Sequence, residues 1–220
     1  VREICDKYGV IMISDEVMCG SGRTGTWRAL EEDGVEPDIM SIAKGLAAGY
    51  LPLGAAIYND KVADAIHGTH GAPMTGHTFT AHTACCAAGV AVQKIVERDK
   101  LVERVKTKAP QFRAMLAEAT GDIEAVGDIR GRGYFQALEL VANRKTKRPF
   151  EAEKKLFMKI RQQAFANGLI CYPVGGNVDG INGDVVILAP PYNATDAELE
   201  EIVEKTAASV RQVLKAEGLA

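Results

Sequence analysis

The chain has no surplus of basic charge: 26 Lys and Arg stand against 29 Asp and Glu, for a formal net charge of −3. Nothing in that balance points to nucleic acid or to an anionic membrane surface. No apolar run approaches the length of a bilayer span, so no transmembrane helix is expected. The five cysteines, Cys5, Cys19, Cys85, Cys86 and Cys171, are odd in number and lack the spacing of a disulfide framework or a zinc knuckle. The plain reading is a reducing, cytoplasmic setting, with Cys85 and Cys86 as two small buried residues on a helix. His67, His70, His77 and His82 lie close together but lack a metal-ligand spacing with supporting carboxylates, and no metal is expected. Internal repeats, low-complexity tracts and a G-x-x-x-x-G-K-S/T phosphate loop are absent as well.

What is there suffices for a proper core. The 220 residues are 47% hydrophobic and 25% charged, ordinary globular values that fit one large domain or two smaller ones. The first residue is Val1, and "VREICDKYG" reads as the end of a helix stopped by Gly9, which suggests a piece of something longer. Three strands are expected next: "GVIMISDEV" (9–17), apolar enough to be buried on both faces, then "DIMSIAK" (38–44) and "LGAAIYN" (53–59). Asp60 is placed to cap a short helix through Ile66. A loop dense in Gly, His and Thr leads to a tightly packed helix of small residues, 82–97. Strands alternating with connecting segments argue for a parallel α/β sheet.

The style then changes. "LVERVKTKAPQFRAMLAEA" is amphipathic and interrupted by Pro110. "GYFQALELV" (133–141), "LICYP" (169–173) and "DVVILAP" (184–190) read as strands, and 151–167 as a helix stopped by Gly168. Thr195 and Glu198 form a capping box, T-x-x-E, opening a last helix whose Leu199, Ile202, Val203, Val210, Val213 and Leu214 share one face. The expected organisation is therefore a sheet-and-helix domain over 1–100 and a smaller α+β domain over 101–220.

The stretch "IMISDEVMCGSGRTG" (11–25) admits three chemistries. An apolar strand ending in Asp15-Glu16 suits Mg²⁺ in a nucleoside triphosphatase, but the phosphate loop is missing. Gly20, Gly22 and Gly25 spell the dinucleotide fingerprint G-x-G-x-x-G, yet the following segment has room for only two helical turns before Pro37. The acid that should end the next strand is also absent, since Asp38 precedes it. The third chemistry is a carboxylate that charges the ring nitrogen of a cofactor. Lys44 ends the next expected strand, so both residues fall at carboxyl ends of parallel strands, where ligands bind in open α/β sheets. A buried, partly desolvated lysine becomes a nucleophile toward carbonyls. Lysine with aspartate is the pair that pyridoxal 5′-phosphate (PLP) needs at its aldehyde and its pyridinium. Taken singly, Lys44 reaching solvent and Asp15 capping a turn remain open readings.

"DEVMCGSGRTGTW", "PDIMSIAKGLAAGYLPLGA" and "GHTFTAHTACCAAGVAV" closely resemble the class III, or ω-type, aminotransferases, and "IRGRGYFQALEL" and "VVILAPPYNATDAELEEIV" resemble that family's C-terminal domain. The resemblance runs through nearly the whole chain, in order, and covers about the C-terminal half of a typical member. It implies fold type I: part of the parallel-rich sheet of a large PLP-binding domain, followed by a small α+β domain.

The resemblance further implies that Lys44 forms a Schiff base with PLP and that Asp15 pairs with the ring nitrogen. Val17 would pack on one ring face, and Thr78 would bind the cofactor phosphate of a partner subunit, so a homodimer or higher homo-oligomer is expected. The substrates would be a small amine or ω-amino acid donor and a 2-oxo acid acceptor. Arg23 would shape the site or the subunit interface, or make a loop salt bridge, and Arg130 is read as structural. Many members carry an arginine just before Pro173 that grips the acceptor carboxylate. Here Tyr172 stands there, with Arg132 as a substitute. Decarboxylases, aminomutases and racemases share the same lysine and aspartate logic, and a non-catalytic domain kept for assembly is the rival of another class. The phosphate loop and stacking aromatic that family members draw from their N-terminal half are not visible here, so the 220 residues alone are expected to bind PLP poorly and turn over nothing.

Overall fold

The computed structural model describes residues 1–219, and the chain divides into two units, Val1–Glu103 and Arg104–Ala220. The first opens with α1 (Arg2–Tyr8), which ends at Gly9 in the left-handed region, φ 66°. A glycine there accepts a backbone conformation that a side chain disfavours. Strands β1 (Ile13–Asp15), β2 (Ile39–Ile42) and β3 (Ala55–Tyr58) follow, in the order β1-β2-β3. β1 and β2 are parallel, with Ile13 opposite Ile39 and Asp15 opposite Ser41.

β3 departs from the expected parallel arrangement: it is antiparallel to β2, with Ile42 opposite Ala55. A parallel return needs a crossover, usually a helix. The connection 43–54 holds only a 3₁₀ turn, Lys44–Leu46, and reverses through Ala48 and Gly49, both at positive φ. β1 is also shorter than expected and is not buried on both faces. It is an edge strand, and Ile13 is 65% exposed because no described element covers its outer side.

The helix after β3, α2 (Asp60–His70), is capped by Asn59 rather than Asp60: Asn59 Oδ1 accepts from Val62 N at 3.2 Å. α3 (Thr83–Arg98) buries only Gly89, Val92 and Val96. The tight packing expected from its small residues is therefore absent from most of its circumference. Cys85 is half-buried and Cys86 exposed, contrary to expectation. Small side chains permit close packing but do not supply the neighbour.

α4 (Leu101–Thr120) carries the chain into the second unit, and Pro110 does not interrupt it. Proline removes one donor to the carbonyl four residues back. That residue, Lys106, is exposed like Pro110, so water can take the freed carbonyl. β4 (Val126–Arg132) was hidden in the sequence by its glycines; Gly131 sits where an added Cβ would fall 2.0 Å from the Phe135 carbonyl oxygen. β5 (Phe135–Leu140), α5 (Leu156–Ala166), β6 (Tyr172–Gly175), β7 (Asp184–Leu188) and α6 (Asp196–Ala216) complete the unit. The sheet is wholly antiparallel in the order β4-β5-β7-β6.

β5 alternates strictly, turning Gln136, Leu138 and Leu140 inward. Leu138 and Leu140 join a core of Phe112 and Leu116 from α4, Leu156 and Ile160 from α5, Val186 and Leu188 from β7, and the expected apolar face of α6. The helix expected over 151–167 is split, because Lys155 adopts φ 49° and α5 starts only after it. α5 has no cap of its own; Asp184 Oδ1, at the start of β7, accepts from Phe157 N at 2.8 Å. The Thr195–Glu198 capping box closes reciprocally, Glu198 N donating to Thr195 Oγ1 and Thr195 N to Glu198 Oε2. Among the described residues no helix is long and apolar enough to cross a membrane.

Candidate active site

The parallel pairing of β1 and β2 sets the site. Asp15 ends β1 directly opposite Ser41, and Lys44 lies just beyond the end of β2. Ser41 Oγ donates to Asp15 Oδ1 at 3.3 Å, and Val17 N donates to the same oxygen at 3.0 Å. The carboxylate is thereby oriented, with Oδ2 free of hydrogen bonds among the described residues. Lys44 opens the 3₁₀ turn in the left-handed region, φ 42°, and among the described residues its amine makes no hydrogen bond or ion pair.

Neither residue is buried, contrary to the expected desolvation of Lys44. Asp15 sits on an edge strand, and Lys44 stands on a turn outside the sheet rather than within it. Nor does the strand expected to run through Val17 reach it. β1 stops at Asp15, and the bond from Val17 N to Asp15 Oδ1 closes a turn, so strand alternation does not decide where Val17 faces. Val17 is half-buried.

Thr78 is exposed in the turn before α3, and among the described residues no hydrogen bond joins it to Asp15 or Lys44. The turn is held by its neighbours: His77 N donates to Thr80 Oγ1 at 3.0 Å, and Phe79 N to His77 Nδ1 at 3.1 Å. Thr80 therefore does the local capping, and Thr78 keeps its hydroxyl. Arg130 pairs with Asp128 and with Glu139, the latter at 2.6 Å, across β4 and β5. Arg132 is exposed in β4, and Tyr172 is 57% exposed at the start of β6. Arg23 is half-buried in the glycine loop. Among the described residues no group of three His, Cys, Asp or Glu could hold a metal ion.

Two acids weighed in the sequence only for the two rejected chemistries hold this region. Glu16 is 1% exposed; its Oε2 accepts from Ala29 N at 2.7 Å and its Oε1 from Leu30 N at 3.4 Å, capping the 3₁₀ turn Ala29–Asp33. Gly20 leaves room for it, since a Cβ there would lie 3.0 Å from Glu16 Oε2. Asp38 is 5% exposed and accepts from Met12 N at 2.8 Å, from Arg2 at 3.0 Å and from Asn59 Nδ2 at 3.1 Å. Those donors, Met12 N first, hold its carboxyl at about 2, below the ordinary 3.8. An acid directly before an apolar strand was the available signal, but its partners are remote in sequence. The second acid of "DEV" thus serves the backbone, and the glycines lead to a 3₁₀ turn rather than to a helix that could receive a pyrophosphate.

An unpaired primary amine and an oriented carboxylate at adjacent strand ends suit the two ends of pyridoxal phosphate, its aldehyde and its ring nitrogen. The class-III aminotransferase family model matches residues 1–210. An aminotransferase of Gibberella zeae is 39% identical over 211 residues, covering 96% of this chain and 41% of that protein. The structure of a transaminase from the marine bacterium Virgibacillus superposes with a TM-score of 0.91 at 30% identity, over 99% of this chain and 48% of that one. An amine transaminase from an uncultivated Pseudomonas species, solved in its PLP-bound form, matches with a TM-score of 0.86 at 34% identity, over 96% of this chain and 46% of that one. The chain spans less than half the length of these relatives. With the family model matching residues 1–210 and the fold superposing over nearly the whole chain, this chain belongs to the class-III aminotransferases.

Proposed function

We propose that the full-length protein is a PLP-dependent transaminase that moves an amino group from an amine or ω-amino acid to a 2-oxo acid. Lys44 would hold the cofactor through its aldehyde carbon, Asp15 through its ring nitrogen, and Val17 against one ring face. Thr78 would bind the phosphate belonging to a partner subunit, which makes the active protein a homodimer or larger homo-oligomer. The first unit is then part of a large cofactor domain and the second a small C-terminal domain. Five free cysteines favour a reducing, cytoplasmic location.

When bound, the cofactor supplies an electron-withdrawing ring that acidifies the substrate carbon carrying the amine. The chain's own contribution is to place charge and protons. Asp15 would keep a proton on the ring nitrogen, its carboxylate held in place by Ser41 and the Val17 N–H. Lys44 Nζ, which would hold the cofactor at its aldehyde, would also serve as the base that takes the proton from the substrate carbon carrying the amine. Tyr172, where an arginine commonly meets the acceptor carboxylate, makes recognition of the 2-oxo acid differ from the family's usual clamp.

The observation that carries this reading is the parallel register that sets Asp15 against Ser41, with Lys44 just past the end of the same strand. Borohydride reduction of the full-length, PLP-loaded protein, followed by peptide mass spectrometry, is expected to label Lys44. An amine donor with pyruvate should yield alanine. A label on another residue, or amine consumption that needs no oxo acid, would overturn the assignment.

A further inference from the structure

One side chain remote from the site in sequence contacts both segments that frame it. Gln93 lies on α3, half-buried, on the same helical face as Gly89. Its Nε2 donates to the Leu46 carbonyl at 3.0 Å and to the Gly45 carbonyl at 3.3 Å, the two residues that follow Lys44. Its Oε1 accepts from Trp27 Nε1 at 3.2 Å. An indole N–H only donates and a carbonyl only accepts, so the amide has one orientation that satisfies all three partners.

The turn it meets is poorly held from within. Lys44 and Ala48 both lie at positive φ, 42° and 50°, a region that residues with a Cβ enter at a cost. One internal bond, Leu46 N to Ala43 O, is 2.9 Å, but Ala47 N to Lys44 O is 3.3 Å. Such a conformation persists where surrounding groups over-determine it. Gly89 lets α3 come close enough to do so: an added Cβ would fall 2.5 Å from Leu53 Cδ2 and 3.7 Å from the Leu46 carbonyl oxygen. At its other end, Trp27 closes the glycine loop that runs on from Asp15 and Glu16.

We infer that Gln93 is a positioning residue for Lys44, clamping the turn that carries the amine and tying that turn to the loop that descends from Asp15. The inference rests on the assignment of Lys44 above. It acts through the backbone of residues 44–47 and touches neither cofactor nor substrate.

The test uses the full-length enzyme with Gln93→Met, which keeps the length and loses all three hydrogen bonds, and Trp27→Phe, which loses the indole donor alone. Hydrogen exchange of peptides spanning 44–50 should speed up in Gln93→Met and change less in Trp27→Phe. The pH midpoint of the visible absorbance of bound PLP should shift in both, further in Gln93→Met. kcat should fall about tenfold in Gln93→Met with KM for the oxo acid unchanged, the mark of a reacting group held off its position. If Gln93→Met fails to fold, the exchange and absorbance of Trp27→Phe decide the matter. Unchanged exchange over 44–50 together with an unchanged midpoint would overturn the inference, whatever happens to the melting temperature. Failure of the underlying assignment has a separate signature: borohydride labelling of a residue other than Lys44 in the unsubstituted enzyme.

Discussion

Among the largest fully enclosed side chains of the described residues, Tyr134, Phe112, Leu116, Leu138, Leu140, Leu156, Ile160, Leu188, Leu199, Leu214 and Gln136 all belong to the second unit, and Glu16 alone to the first. The second unit is held by contiguous apolar contact, which is strong and non-directional. The first is pinned by polar side chains that each bridge segments distant in sequence: Glu16, Asp38 and Gln93. Directional bonds fix loops and turns where short strands cannot, and the candidate chemistry at Asp15 and Lys44 stands on such loops and turns. The contrast is sharpest in two aspartates of similar burial. Asp38, 5% exposed, is held at about 2 by the Met12 N–H, Arg2 and Asn59; Asp184, 4% exposed, is pushed above its ordinary range by burial, which its one bond from Phe157 N only partly offsets. Burial penalises a charge, and hydrogen-bond donors oppose that penalty.

Substitutions test this division, beginning with the largest effect. Phe112→Ala removes an aromatic ring at the centre of the second unit, where it meets Tyr134 edge-on, and should cost about 3–5 kcal/mol in urea unfolding. A smaller loss would mean that this core is looser than its burial implies. In the full-length protein, Asp15→Asn should lower kcat by about 10²–10³-fold with little change in stability, since Asp15 is exposed and its proposed work is electrostatic. Steady-state kinetics beside a melting curve separates the two effects; a large stability loss with unchanged kcat would reverse the assignment.

Glu16→Leu leaves the Ala29 and Leu30 N–H groups without their acceptor and should destabilise by about 1–3 kcal/mol, although it adds apolar volume. A stabilised variant would show that the first unit is, after all, held by apolar packing. The smallest effect is in acid. Because the folded value of Asp38 lies below its unfolded 3.8, its contribution is complete above that value and is lost as pH falls from 3.8 toward about 2. Asp184 has the opposite sign: its raised value favours the protonated form, so acidification through its range adds stability. Urea midpoints at pH 6 and pH 3 should therefore fall less in Asp38→Asn than in the unsubstituted protein, and more in Asp184→Asn.

The sequence by itself determined the features written within a few residues: the capping box at Thr195 and Glu198, the stop at Gly9, the apolar face of α6, and the family motifs in order around Asp15 and Lys44. Helix periodicity, caps and glycine conformations are local properties of the chain and leave local marks. Tertiary structure alone decided that β3 returns antiparallel, that β4 pairs despite its glycines and that Pro110 is tolerated. It alone left Asp15 and Lys44 exposed while enclosing Glu16, and gave α5 its cap from Asp184. In each case the deciding neighbour is far along the chain or is solvent, and neither leaves a mark on the residues nearby. Gln93 shows the same physics at the site: an ordinary polar residue on a helix until the fold brings Trp27, Gly45 and Leu46 within reach of its amide.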